Sequence, residues 1–262
     1  MNIKNIIYKR KSIRKYKGEP IEKERLLEIK ELIKNVTPLY KEIKMQGLLV
    51  ENGVEIQKIS KGIIGSYGKI EAPHYIVVTS EEKEGFHENI GFAFEKLVLD
   101  LTHMGLGTCW IGGAIKKELL NGIVEIPENQ KPVVLIAFGY PEDSNIFNIE
   151  LSSGHKRKEL EYIALGTLND TWEEIFQGVR RAPSAVNFQP WRFYKDHSEI
   201  HAYVTEGNII TRNLAHFSKL DMGIALCHLK LMCEYKGFKV EFINQDLPKR
   251  KGLQYVITIK VK

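Results

Sequence analysis

The sequence predicts an α+β protein whose 262 residues form two related halves in one chain, residues 1–165 and 166–262. Two observations predict the mixture of elements. Short runs rich in β-branched residues are bounded by Pro or Gly, and longer apolar segments with helical periodicity end at glycine. A third observation predicts the halves, because each contains one of these long apolar segments. With 43% hydrophobic residues, the chain can bury one large core or two small ones.

The first half contains two predicted helices and two predicted strands. Pro20 precedes a helix over residues 21–34, where Ile and Leu recur at helical spacing among Glu and Lys. The runs at 75–79 and 133–138 have the length and β-branched content of strands that are covered on both faces. Between them, a mostly apolar helix over residues 87–104 stops at the following glycine and suits a buried position.

The second half repeats parts of this plan after a crossover formed by a charged stretch at 154–161 and a polar stretch at 166–170. It begins near Thr171 with a short helix and ends with a strand, and its long apolar helix also stops just before a glycine. This is a weak internal repeat. The predicted elements are a helix over 171–177, strands over 191–194 and 201–204, a helix over 220–235 and a strand over 255–261.

Composition narrows the class of protein. Three cysteines, an odd number inside apolar stretches, argue against a disulfide framework, and the N-terminus lacks a leader pattern, so we expect a soluble, cytoplasmic protein with no membrane partner. A net charge of +5, spread among acidic residues, favours anionic small ligands. The basic clusters at 10–17 and 249–251 lack a recognition helix or an aromatic RNA motif, so we expect no nucleic-acid partner.

The first motif that carries chemistry is the basic segment near the N-terminus. Arg10, Lys11, Ser12 and Arg14 place three cations and a hydroxyl within five residues. Forked guanidinium hydrogen bonds and the added point charge suit a phosphate group. The alternative is a solvated basic turn before a helix.

The second motif is Gly-Leu-Gly-Thr-Cys-Trp-Ile-Gly-Gly at 105–113. It is not a dinucleotide fingerprint, because Trp110 replaces the third glycine and the segment follows a helix instead of a strand. Its two glycine pairs indicate a backbone that another chain segment or a flat ligand approaches closely. The alternative is a tight connection from a helix to a strand.

The third motif is the turn Ala-Pro-Ser-Ala-Val-Asn-Phe-Gln-Pro-Trp at 182–191. Its prolines stiffen the backbone, its serine suits capping, and its amides can read the edge of a heterocycle. A turn without a ligand is the alternative. No histidine pair has the spacing of metal ligands, so we expect no metal site.

Together, five segments resemble the FMN-dependent nitroreductase family. They are Arg10 to Tyr16, Gly105 to Gly113, Gly139 to Pro141, His155 to Lys158 and Pro183 to Trp191. The resemblance implies a three-layer α/β/α sandwich. Family members are usually homodimers in which each subunit contributes to both flavin sites.

The order of the motifs departs from the usual family pattern. In typical members the Pro-Ser turn follows the basic segment within the same half, whereas residues 37–46 here lack its Ser and Asn. The chain therefore resembles an internally duplicated, single-chain branch, a pseudo-dimer that is a monomer or a weak homodimer. Because neither half carries both motifs, the resemblance implies one FMN per chain.

The resemblance also implies which residues contact FMN. One group holds the phosphate and ribityl chain, a second lies along the isoalloxazine ring, and a third closes the opposite side. The first group is Arg10, Ser12, Arg14, Lys156 and Arg157; the second is Lys11, Trp110, Ile111, Gly112 and Gly113; the third is Pro183, Ser184, Ala185 and Asn187.

The function that the resemblance implies is an FMN-dependent oxidoreductase. It would take a hydride from NAD(P)H and reduce a small-molecule electron acceptor, such as a nitroaromatic or a quinone, by a ping-pong mechanism. Because the flavin carries the chemistry, no side chain is assigned as a catalytic acid or base. The alternative is a non-catalytic flavin-binding or sensing protein, since ancestry does not guarantee turnover.

Overall fold

The computed structural model has a mixed composition of helices and antiparallel sheets. It divides into two compact units, which we call the N-terminal unit (9–86 and 96–150) and the C-terminal unit (1–8, 87–95 and 151–262). The structure describes residues 2–60, 70–113, 116–148, 156–206 and 215–262.

The described residues contain seven α-helices and nine strands. The helices are α1 (Ile3–Lys9), α2 (Lys23–Lys34), α3 (Gly53–Ser60), α4 (Phe86–His103), α5 (Leu160–Ile163), α6 (Asp170–Val179) and α7 (Ala215–Tyr235). The strands are β1 (Met45–Val50), β2 (His74–Ser80), β3 (Gly107–Gly112), β4 (Lys131–Gly139), β5 (Ala164–Leu165), β6 (Trp191–Asp196), β7 (Glu199–Thr205), β8 (Val240–Ile243) and β9 (Leu253–Val261).

The N-terminal unit is built on a four-stranded antiparallel sheet in the order β1-β2-β4-β3. Every residue of β2 is buried, and so are the last six residues of β4, which confirms the prediction that these two strands are covered. Tyr75, Val77, Leu135 and Ala137 from these strands form a core with Ile111 of β3. The strand order places β3 at one edge of this sheet, and its Ile111 side chain is held in the core.

The C-terminal unit contains a five-stranded sheet in the order β5-β6-β7-β9-β8, antiparallel except for the short β5–β6 pair. In this unit, α7 crosses the first part of α4 at two glycines. A Cβ added at Gly91 would lie 2.1 Å from the Leu220 carbonyl oxygen, and one at Gly223 would lie 2.0 Å from that of Glu88. Only glycine permits so close an approach between these two helices.

The two long helices end in the same way, as the weak repeat predicts. After α4, Gly105 has φ 79°, and the Leu106 N–H donates to the Leu101 carbonyl at 2.9 Å. After α7, Gly237 has φ 85°, and the Phe238 N–H donates to Cys233 at 3.0 Å. Both ends are Schellman motifs, which require a left-handed residue and therefore favour glycine.

The two compact units have different bounds from the predicted halves. The first eight residues belong to the C-terminal unit, and α4 is divided, with residues 87–95 in the C-terminal unit and the rest in the N-terminal unit. The halves 1–165 and 166–262 concern ancestry and stay a prediction. Within the described parts of the chain, no helix is both long enough and apolar enough to cross a bilayer. The same parts hold no group of three His, Cys, Asp or Glu side chains suited to a metal ion.

Candidate functional site

In the N-terminal unit, the basic segment lies against the start of β3. The Ile13 N–H donates to the Thr108 carbonyl at 2.8 Å, and Ser12 forms a parallel bridge with Thr108. A Cβ at Gly107 would lie 2.7 Å from the Ile13 side chain, so this glycine makes room for the segment. The close approach expected of the glycine-rich motif is therefore made, in part, by another chain segment.

The other end of the basic segment pairs with the Gly139–Pro141 turn. The Lys17 N–H donates to the Tyr140 carbonyl at 2.9 Å, and Tyr16 forms an antiparallel bridge with Pro141. Burial raises the pKa of the Tyr16 hydroxyl well above its usual value, and this hydroxyl donates to the Ile13 carbonyl at 2.7 Å. Three separate sequence motifs thus meet in this unit.

The cations of the segment differ in their surroundings. Arg10 is only 4% exposed, whereas Arg14 is exposed and its Nη1 lies 3.4 Å from the Ser12 carbonyl. Lys11 donates to the Ile146 carbonyl at 2.5 Å, and partial burial lowers its pKa. Burial raises the pKa of Cys109 on β3, while Arg14 and Arg10 act in the opposite direction. The start of β3 therefore lies in the positive field of two guanidinium groups.

The position of β3 at the sheet edge decides which of its groups can meet a ligand. The Ile111 side chain is buried in the core and its N–H and C=O groups point toward β4, so this residue offers a ligand no polar group. Because the Thr108 carbonyl points away from β4 toward Ile13, strand alternation directs the N–H groups of Trp110 and Gly112 the same way. Gly113 follows directly, just after the strand ends.

In the C-terminal unit, Arg157 clamps the Pro-Ser turn. Its guanidinium donates to the Ala182 carbonyl at 3.0 Å, to Asn187 Oδ1 at 2.9 Å and to the Arg181 carbonyl at 3.3 Å. Asn187 Nδ2 donates back to the Lys156 carbonyl at 2.6 Å. Two further predicted segments are thus brought together within this unit. His155, the first residue of the matching segment His155 to Lys158, lies outside the described residues.

Two residues that the sequence analysis did not select hold the same turn. The Gln189 side chain accepts from the Lys158 N–H at 2.9 Å and donates to the Asn187 carbonyl at 3.1 Å, while its own N–H donates to Ser184 Oγ at 3.0 Å. Both oxygens of Asp221, on α7, accept from the Ala185 N–H at 3.1 Å. Burial raises the pKa of Asp221 well above its usual value. Pro183 is buried beside these contacts.

The backbone of the turn is strained. Val186, Asn187 and Gln189 have φ of 46°, 58° and 50°, in the left-handed region. A β-branched residue there is unusual, and the cost is about 1–2 kcal/mol. Strain of this kind clusters at functional sites when neighbouring contacts enforce it, as Arg157 and Asp221 do here.

We expect Val186→Asn to stabilise the folded protein by about 1 kcal/mol, because Asn tolerates the left-handed region. The Val186 side chain is 67% exposed, so little packing is lost. Urea unfolding measures the change. The matched control is Val186→Thr, which keeps a branched Cβ and should leave stability unchanged. Equal stability of the two variants would contradict the strain.

Lys158 supplies a pH-dependent contribution to stability. Burial, with a smaller effect of Arg192, lowers its pKa from 10.5 to about 8, and its Nζ donates to the Gln189 carbonyl at 3.1 Å. Between about pH 8 and 10.5 the unfolded chain binds more protons at this residue than the folded chain. The contribution of Lys158 to the free energy of unfolding therefore rises with pH across that window, and this gain is lost as pH falls through 8.

Lys158→Gln should remove this rise. Unfolding free energies measured from pH 7 to 10 should show the variant losing stability relative to wild type as pH increases. Lys156→Gln, in the same segment, corrects for the loss of one positive charge. A constant difference between Lys158→Gln and wild type over this range would refute the assignment.

A family model and solved structures of other proteins match this chain. A family model described as "Putative TM nitroreductase" matches residues 2–233. A solved structure of a putative nitroreductase from Thermotoga maritima is 22% identical, with a TM-score of 0.64, and the match covers 99% of this chain and 94% of that one. This confirms the predicted α+β, nitroreductase-like fold. No curated protein sequence matches the chain.

Two further solved structures are similar to part of the chain. A nitroreductase family protein from Clostridium novyi NT is 25% identical, with a TM-score of 0.47, over 55% of this chain and 87% of that one. An FMN-dependent nitroreductase from Clostridium difficile R20291 is 23% identical, with a TM-score of 0.46, over 53% and 87% respectively.

Proposed function

Since the chain belongs to the nitroreductase family described by that model, we propose that it is an FMN-dependent oxidoreductase. It takes a hydride from NAD(P)H and reduces nitroaromatics, quinones or related electrophiles by a ping-pong mechanism. The proposal includes one FMN per chain, bound by a monomer or a weak homodimer.

One observation carries the proposal. The basic segment is fixed along the start of β3 by the Ile13–Thr108 hydrogen bond, next to a glycine-rich edge strand. Guanidinium groups and a serine hydroxyl at one end suit a phosphate and ribityl hydroxyls. Backbone N–H groups farther along the same edge suit a flat heterocycle that approaches the main chain. These donors fit FMN in chemistry and in order.

FMN, when bound, supplies the hydride and electron transfer. The residues of this chain bind and orient it. Arg10, Ser12 and Arg14 are proposed to hold the phosphate end, and the N–H groups of Trp110 and Gly112 to donate to the ring. A positive group such as Lys11 beside the ring favours the negative charge that reduction produces. Six further residues are proposed to contact FMN on the basis of the motif resemblance: Lys156, Arg157, Pro183, Ser184, Ala185 and Asn187.

Flavin content and flavin reduction test the proposal together. Purified protein saturated with FMN and then desalted should retain about one flavin per chain, and NADH or NADPH should bleach its visible bands anaerobically in a stopped-flow instrument. A ratio near two would contradict the single site. Retained flavin that neither nucleotide reduces would favour the non-catalytic flavin-binding or sensing protein. Failure to retain any flavin would reject both readings.

A further inference from the structure

A cavity of about 530 Å³ lies on the C-terminal sheet, within the C-terminal unit. Phe193 packs against Phe176 of α6, and Lys195 lies over the ring of Trp172 on the same helix. Because side chains alternate along β6, Tyr194 points to the opposite face of the sheet. The cavity lies on this opposite face, which we call the tyrosine face after Tyr194 and Tyr203.

The segment before β9 borders this cavity and carries an exposed arginine whose guanidinium lies over a tyrosine ring. Arg250 Cζ lies 3.9 Å from the ring centroid of Tyr194 and 5.6 Å from that of Tyr203. The backbone of Arg250 is fixed by a turn, since the Leu253 N–H donates to its carbonyl at 3.1 Å and Gly252 has φ 73°. Arg250 is therefore positioned by both its side chain and its main chain.

The arrangement leaves the N–H edge of this guanidinium available. Stacking uses its flat face, whereas its hydrogen-bond donors lie in its plane. Within the described residues, neither Arg250 nor the adjacent Lys249 has a carboxylate partner. Among the described lining residues, Asp196 is the one acidic side chain, against the cations Lys249 and Arg250; the Lys195 ammonium lies on the other face, over Trp172. The cavity is thus positively charged and partly walled by aromatic rings.

We propose that the tyrosine face binds a small ring-containing molecule that carries an oxyanion, either a carboxylate or a phosphate. Arg250 holds the oxyanion with a forked pair of hydrogen bonds, Lys249 adds charge, and the partly exposed Tyr194 contacts the ring. The volume lies within the roughly 300–1,000 Å³ typical of small-molecule sites. His201, which also lines the cavity, has its Nδ1 hydrogen-bonded to Thr258 Oγ1 at 2.9 Å, so its ring orientation is fixed.

Calorimetric titration with benzoate, phenyl phosphate and benzyl alcohol tests this proposal. At least one of the two anions should bind, and raising the salt concentration should weaken it, while the neutral alcohol should bind at least tenfold more weakly. The stronger of the two anions identifies the oxyanion. Absence of binding by both anions, or equal binding of the alcohol, would overturn the site.

Variants at neighbouring positions locate the binding. Arg250→Gln should weaken the anion at least tenfold, and Arg250→Lys should weaken it to an intermediate degree because the charge stays but the fork is lost. Lys251→Gln is the matched control, since Lys251 is exposed in the same turn and does not line the cavity. Equal affinities for Arg250→Gln and Lys251→Gln would place the anion elsewhere and reject the proposal. Urea unfolding of each variant shows whether a loss reflects misfolding, in which case Arg250→Lys decides.

Discussion

The double variant Arg10→Ala/Arg14→Ala is expected to lose bound FMN on desalting. A hydrogen bond to a charged group contributes about 1.5–3 kcal/mol, so loss of two such contacts weakens binding by at least about 100-fold. Both guanidinium groups act on the start of β3, as their effect on the pKa of Cys109 indicates. Flavin absorbance after desalting and a fluorescence titration of free FMN measure the loss.

The controls separate cofactor binding from folding. Arg10 is buried, so its truncation also threatens stability; Arg14→Gln alone, at an exposed position, should still weaken FMN at least tenfold while the circular dichroism spectrum is unchanged. Lys15→Gln/Lys17→Gln removes two exposed charges from the same segment and should retain FMN. Stoichiometric flavin in the double arginine variant, or equal losses in the lysine variant, would remove these arginines from the site.

The elements predicted from the sequence are those with a strong period or a continuous apolar run. The predicted helix over 21–34 is α2, the helix over 87–104 is α4 and the helix over 220–235 is the main part of α7. These helices bury an apolar face, and the spacing of apolar residues in the sequence indicates that face directly. The glycine ends of α4 and α7 could also be predicted, because a left-handed residue has few alternatives to glycine.

The elements that the sequence analysis missed have weak local signals. Five of the six residues of β1 are only partly buried, so it lacks the continuous apolar run of β2. The glycines in β3 disfavour a strand, and its pairing with β4 overrides that preference. The helix α3 has only eight residues and no apolar run longer than one residue.

The motifs of the candidate site could be predicted, but most of their neighbours could not. Gln189 meets Lys158 at a separation of 31 residues, and Asp221 meets Ala185 at 36. Such contacts depend on how helices and turns pack, which no local pattern encodes. Lys158 in the basic segment and Gln189 inside the Pro-Ser turn were signals that the sequence offered. The clearest signal was Asp221 within an apolar helix, since a buried carboxylate needs a partner.

The largest effect on stability is expected at a buried pair in the C-terminal unit. Glu95 of α4 and His228 of α7 are both fully buried, and His228 Nε2 lies 2.9 Å from Glu95 Oε1. The other ring nitrogen, Nδ1, lies 3.1 Å from the Gly178 carbonyl, so it carries a hydrogen and donates. The contact between Nε2 and Oε1 is therefore a hydrogen bond, whether the imidazole or the carboxyl group carries its proton.

His228→Ala should lower the free energy of unfolding by about 3–5 kcal/mol, because Glu95 stays buried without the imidazole and the Gly178 carbonyl loses its donor. Glu95→Leu/His228→Leu should recover much of this loss, since no charge is then left buried. Lys230→Ala, which breaks the exposed Lys230–Glu234 pair on the same helix, should cost at most about 0.5 kcal/mol. If urea unfolding gave similar values for His228→Ala and Lys230→Ala, the buried pair would not be the contact that fastens α7 to α4 and α6 in this unit.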